Sequence, residues 1–167
     1  MKHFWRYVLV FLVSMVPLIE LRGAVAIFQG WITNGIEMNF WLALLVCTIG
    51  NMLPVPVIYF FARKVLLWGQ DKPYIGKIFR FFLQKGEKAG RKLTKAAGRR
   101  GLFVALLLFV GIPLPGTGAW TGTLGASFLD MGFKSTVAAV ALGVVMAGII
   151  VALVSMGAFT AVEALFL

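Results

Sequence analysis

Twelve of the sixteen Lys and Arg residues lie between positions 63 and 100, where Asp71 and Glu87 are the only acids. That window carries the whole formal net charge of +10, and the residues on either side of it balance to zero. Two nearly neutral apolar stretches joined by one basic connector do not read as a soluble domain, whose charges are spread over its surface. The chain is 60% hydrophobic with a mean hydropathy of +0.94, whereas ordinary domains are only about 45–50% apolar. The excess needs lipid as its solvent, and the pattern specifies an all-helical integral membrane protein. A nucleic-acid binder would need its basic surface on a soluble scaffold, so nucleic acid is not an expected partner. The basic run reads instead as a solvated cytoplasmic face.

Phe4 to Ile19 is apolar apart from Arg6 and slightly short of the roughly 20 residues that a span requires. The run Pro17-Leu18-Ile19-Glu20-Leu21-Arg22-Gly23-Ala24 interrupts it, and apolar sequence resumes to Ile32. Glu20 and Arg22 stand where a signal peptide would place small residues at a cleavage site, so the segment is read as retained. Thr33-Asn34-Gly35 reads as a loop. Phe40 to Ala62 is a predicted span, and Pro54 and Pro56 predict a kink or break within it. Between residues 72 and 100, Ile75, Ile78, Phe79, Phe82, Leu83, Ala89 and Leu93 recur at nearly helical spacing. Lys77, Arg80, Lys85, Lys88, Arg91, Lys92, Lys95 and Arg99 take the other positions. That is a basic amphipathic helix, lying either among lipid headgroups or against the protein itself.

Gly101 to Ile112 is again only about half a span, and it ends in Gly111-Ile112-Pro113-Leu114-Pro115-Gly116-Thr117-Gly118-Ala119-Trp120-Thr121-Gly122. Two prolines and three glycines within residues 113–122 cannot continue a regular helix. Apolar residues then run to Leu129, a turn is predicted over Asp130–Lys134, and Ser135 to about Ala158 is the cleanest span. Ala139, Gly143 and Ala147 make a small-residue face on it, as Ala43, Cys47 and Asn51 do on the earlier span, and such faces let helices approach closely. The halves match in outline: short arm, Pro-Leu break, short arm, full span. The expected organisation is one membrane domain, with 1–64 as a first repeat, 65–100 as a basic cytoplasmic segment and 101–167 as a second repeat.

A helix break in hydrocarbon survives only where protein or a wet cavity covers it. The short arms around each break therefore fit re-entrant hairpins, which would make an inverted repeat, or else two broken spans. Interrupted helices in corresponding positions of two halves point to a transport site. Glu20 and Arg22 are the most informative charges, because ionisable groups at depth usually face a cavity or a partner. A protonatable Glu beside a fixed Arg suits proton-coupled transport, and Arg can grip phosphate bidentately. Alternatively, both side chains snorkel to the interface. The positive-inside rule places 63–100 in the cytoplasm. Cys47 is the only cysteine and His3 the only histidine, so no metal site, cofactor or Ser/His chemistry is expected, and the chain is not read as an enzyme.

The two quoted runs, Pro17–Ala24 and Gly111–Gly122, resemble those of the family called putative small multidrug export proteins, small bacterial and archaeal membrane proteins. The resemblance covers nearly the whole chain, in order and spacing. That family is thought to be distantly related to the DedA superfamily, also described as VTT or SNARE-associated membrane proteins. The resemblance implies a prokaryotic inner-membrane, multi-pass protein with two facing re-entrant hairpins. It also implies lipid scrambling or recycling of undecaprenyl phosphate, with proton drive. Glu20, Arg22 and Gly23 carry over as the first motif, and Gly111, Pro113, Pro115, Gly116, Thr117, Gly118 and Trp120 as the second; Asn51 joins them as a polar residue inside a span. Two departures stand out: Ala26 occupies a position where Pro is expected, and residues 101–133 lack the Arg that DedA proteins usually carry. Three functions remain open: a flippase for an amphipathic anionic lipid, an exporter of hydrophobic cations with Trp120 stacking on the substrate, and a non-transport scaffold whose 77–99 helix recruits anionic headgroups. A homodimer is a further expectation, since two spans and two hairpins are few to seal a polar cavity.

Overall fold

The computed structural model describes residues 4–17, 19–72, 76–114 and 116–166. All regular structure among them is α-helical: α1 (Phe4–Met15), α2 (Glu20–Thr33), α3 (Phe40–Met52), α4 (Pro54–Gly69), α5 (Gly76–Gly111), α6 (Ala119–Phe128) and α7 (Phe133–Phe166). The two predicted spans are present. Phe40–Gly69 and Phe133–Gly157 are each long and apolar enough to cross a membrane. Less than half of either apolar window is buried within the protein. The outward faces carry large apolar side chains, among them Trp41, Leu45, Ile49, Val57, Phe61, Leu142, Leu153 and Val154. A core helix of a soluble protein would hide such a surface, so this chain is a membrane protein.

The kink expected at the prolines falls one residue before them. Asn39 opens α3 by accepting a hydrogen bond from the Leu42 N–H on its side chain (3.0 Å). The helix then divides at Leu53, whose N–H reaches both Ile49 O and Gly50 O, because Pro54 has no N–H with which to continue the ladder. The first span runs past Ala62 to Gly69, and α7 starts two residues before the predicted Ser135. Within α5 the basic segment is a helix of its own, as expected: it meets the third apolar arm at a kink at Gly98 (φ 69°, ψ 177°), where the backbone leaves helical geometry. Lys77, Arg80, Lys88, Lys92 and Lys95 are exposed on the basic part. Ile75 lies outside the described residues, as do the side chains of Ile78, Phe79, Phe82, Leu83, Lys85, Ala89, Arg91 and Leu93.

Small residues bring the arms onto the spans, Gly143 from a predicted small-residue face and Gly50 from beside the predicted Ala43, Cys47 and Asn51 face. On α3, a Cβ at Gly50 would stand 2.6 Å from Phe11 O of α1. On α7, a Cβ at Gly143 would stand 2.8 Å from Leu107 O of α5. Arm α2 also packs on α7, and α6 on α4. Tyr59 of α4 donates its hydroxyl to Met131 O, and Ser127 of α6 donates to Tyr59 O (3.1 Å). Each short arm is thus held by a full span, and the two interruptions are brought face to face.

Candidate functional site

The first interruption leaves Met15 and re-enters helix at Glu20, whose N–H bonds Val16 O (2.9 Å). Glu20 has a left-handed backbone, φ 50°. A non-glycine residue held there costs of order 1–3 kcal/mol and persists only when its surroundings fix it. What fixes Glu20 is its own carboxylate, which crosses to the second interruption. Oε2 accepts from the Ala119 N–H and Oε1 from the Trp120 N–H, both at 3.1 Å. These N–H groups open α6, the positive end of a helix dipole, where a carboxylate belongs. Glu20 is only 7% exposed. Gly118 makes the approach feasible, since a Cβ there would stand 2.0 Å from Glu20 Oε2.

Arg22 serves the opposite end of the same interruption. Helix α5 stops at Gly111, and Pro113 supplies no N–H with which to extend it. Arg22 Nη1 donates to Leu114 O (2.7 Å), and Nη2 lies within donating distance of Val110 O (3.1 Å), Ile112 O (3.3 Å) and Thr117 Oγ1 (3.0 Å). The Thr117 hydroxyl itself lies 2.9 Å from Ile112 O and 2.8 Å from Leu114 O, and its single proton serves one of them at a time. Gly116 takes the left-handed turn at φ 80°. The guanidinium therefore sits on the negative end of α5, as the carboxylate sits on the positive end of α6. Backbone groups left unmet in hydrocarbon cost several kcal/mol each. Two charges from the first break meet those of the second.

The residues predicted for the site therefore divide. Glu20, Arg22, Thr117 and Gly118 come together in direct contact. Trp120 contributes its backbone N–H, while its indole Nε1 is buried without a hydrogen-bond partner. Gly116 and Pro113 shape the turn. Gly23 stands apart: a Cβ there would meet Ile19 Cγ2 at 2.3 Å, so it packs the first break and touches no charge. Pro115 lies outside the described residues. Asn51 is 2% exposed, and its Oδ1 is buried without a hydrogen-bond partner. It lines a cavity of about 10 Å³ together with Glu20, Arg22 and Gly118, close to the roughly 10–15 Å³ that holds one water. The main-chain partners at Val110, Ile112, Leu114 and Ala119 could not be found from side-chain types, because their contribution is backbone.

This arrangement falls within a recognised family. Residues 20–150 match the family described as "Putative small multi-drug export protein". The chain belongs to that family. The match begins at Glu20, where the first interruption re-enters helix, and takes in the second interruption and both spans up to Ile150, so the clasp that Glu20 and Arg22 form with the second interruption lies within it. No curated protein and no solved structure matches the chain. The family's description points to membrane transport in the direction of export.

Proposed function

We propose that the chain moves an amphipathic anion, of the polyprenyl phosphate type, across the membrane, and that Glu20 competes with the substrate for its site. One observation carries this reading. The start of α6 is an anion site, with two N–H groups converging beside Arg22, and the protein's own carboxylate fills it. Helix N-termini bind phosphate by this geometry. Protonation of Glu20, or its displacement, frees those N–H groups for a substrate anion; return of the carboxylate expels it. A hydrophobic cation is the weaker fit, since both Glu20 oxygens already face N–H donors.

Corresponding contacts support an inverted repeat of two re-entrant hairpins, with the DedA-like relation it implies. Gly50 meets Phe11 and Ser14 as Gly143 meets Leu107 and Val110. Arm α2 packs on the span of the second half and α6 on the span of the first. The charges break the symmetry: counted from the starts of α2 and α6, Ala119 and Thr121 stand where Glu20 and Arg22 stand. The test is exchange of a labelled polyprenyl phosphate between leaflets of proteoliposomes. Wild type is expected to accelerate exchange and Glu20→Gln to lose it or its pH dependence; equal rates in the two proteins would defeat the proposal.

The α5 basic arm fits the same setting. At about 100° per residue, Lys77, Arg80, Lys88, Lys92 and Lys95 fall on one face of it. We place that face at the headgroups of the cytoplasmic leaflet, where each Lys or Arg contributes about 1 kcal/mol with anionic lipid. A spin label at Gln84, an exposed neighbour on this face, is expected to slow in phosphatidylserine nanodiscs relative to phosphatidylcholine and to recover its mobility in high salt. Identical spectra in both lipids would instead put the arm against the protein.

A further inference from the structure

Two cavities lie in succession along α2, α3 and α7. The first is the small one beside the clasp, lined by Arg22 of α2, Asn51 of α3 and Ala147 of α7. The second holds about 480 Å³ and is lined by Gln29, Phe40, Trp41, Leu44, Ile149 and Leu153 among others. Gln29 stands seven residues beyond Arg22 on α2, and Leu44 seven residues before Asn51 on α3, each nearly two helical turns along the same face. Ala147 and Ile149 flank Gly148 on α7. The three helices thus pass from the charged site to the larger cavity in the same order.

Gly148 marks the partition. A Cβ there would stand 2.9 Å from Leu21 Cδ2 and 3.0 Å from Leu44 Cδ1. Leu21 lines the small cavity and Leu44 the large one. Two leucine side chains resting on one glycine are therefore all that these contacts place between the clasp and a space of ligand size. The walls of that space are apolar except at Gln29. That residue is 7% exposed, and its Oε1 is buried without a hydrogen-bond partner. A buried amide oxygen left unpaired is costly; a turn of the amide about its last side-chain bond would bring that oxygen to the cavity, where a hydroxyl-bearing ligand would relieve it.

We propose that this cavity is a vestibule for an amphiphile with an apolar chain and a hydroxyl donor, held by Gln29. Leu21 and Leu44, closed over Gly148, form its barrier to the Glu20–Arg22 site. The vestibule stands on its own observations; the barrier rests on the transport reading above. An alcohol and the P–OH of a phosphate monoester share the donor that Gln29 would meet.

The experiment uses the full chain in proteoliposomes with a long-chain alcohol carrying a mid-chain diazirine, followed by peptide mapping. Crosslinks are expected on 40–44 and 149–156. Gln29→Leu is expected to reduce them about fivefold, the worth of one hydrogen bond, and to leave labelling by the matching methyl ether unchanged. Leu153→Trp, at an exposed rim position, is expected to reduce both. Labelling that spreads over lipid-facing positions such as Val57, or that ignores both variants, overturns the vestibule. Gly148→Ala is expected to slow polyprenyl phosphate exchange while leaving photolabelling intact. Unchanged exchange overturns the barrier. If wild type shows no exchange and the labelling pattern holds, the transport reading and the barrier fall and the vestibule stands.

Discussion

Replacing Glu20 with Ala is expected to lower the unfolding midpoint of the nanodisc-embedded chain by an amount corresponding to about 2–6 kcal/mol. The figure follows from two N–H groups at the start of α6 that lose their acceptor, at about 1–3 kcal/mol each. Glu20→Gly is expected to be milder by roughly 1 kcal/mol or more. It loses the same contacts but relaxes the left-handed backbone at φ 50°, which Ala retains at a cost. The sharper test leaves Glu20 in place. In Gly118→Ala the new methyl would lie 2.0 Å from Oε2 and 2.6 Å from Cδ of Glu20, so the carboxylate must leave. That variant is expected to destabilise at least as much as Glu20→Ala, because Ala also strains the Gly118 backbone at φ 158°. The double variant should lose less than the sum of the two singles, because both remove one shared contact. Additive losses, read by thermal unfolding of all four proteins, would show that Gly118 acts through something other than the clasp.

The clasp also shows which parts of the molecule can be read from sequence. Two prolines and three glycines within 113–122 announce a break by themselves. Glu20 and Arg22 announce themselves by lying between apolar arms, and Gly143 by its place on a small-residue face of the last span; Gly50, beside the Ala43, Cys47 and Asn51 face, does not. What could not be read is the matching of charge to break across 99 residues from Glu20 to Ala119. In sequence the two charges look like a pair with each other, or like partners for an absent ligand. In the structure each takes a helix end. Nor does any residue type mark Val110, Ile112 or Leu114 as acceptors, because every residue has a carbonyl. Gly23 belongs to the site only through the motif that the resemblance carries over, and in the structure it faces Ile19 instead. Gly98 passed without notice among the glycines of the basic segment, although it is the one residue where α5 leaves helical geometry.

Arg22→Lys is expected to behave as a loss of geometry with charge retained. The guanidinium places two nitrogens at once: Nη1 on Leu114 O and Nη2 toward Val110 O, Ile112 O and Thr117 Oγ1. A lysine ammonium is one compact point with three donors. It can keep its charge at the end of α5, but it cannot reach the far sides of the turn together. The variant should lose about 1–3 kcal/mol, the price of one or two carbonyls left unmet. Arg22→Met removes the charge as well and leaves Glu20 buried without its cationic neighbour, so a larger loss, of about 3–5 kcal/mol, is expected. Thermal unfolding in nanodiscs ranks the three proteins, and cysteine accessibility at Ile112 reports whether the turn itself has opened. If Lys matches wild type in both measurements, positive charge alone holds the second break. If Lys opens Ile112 while keeping most of the stability that Met loses, the fork of Arg22 sets the shape of the turn and its charge supplies most of the stability. A break held shut by a shape-specific contact is one that a phosphate, with its own bidentate appetite for guanidinium, is chemically equipped to release.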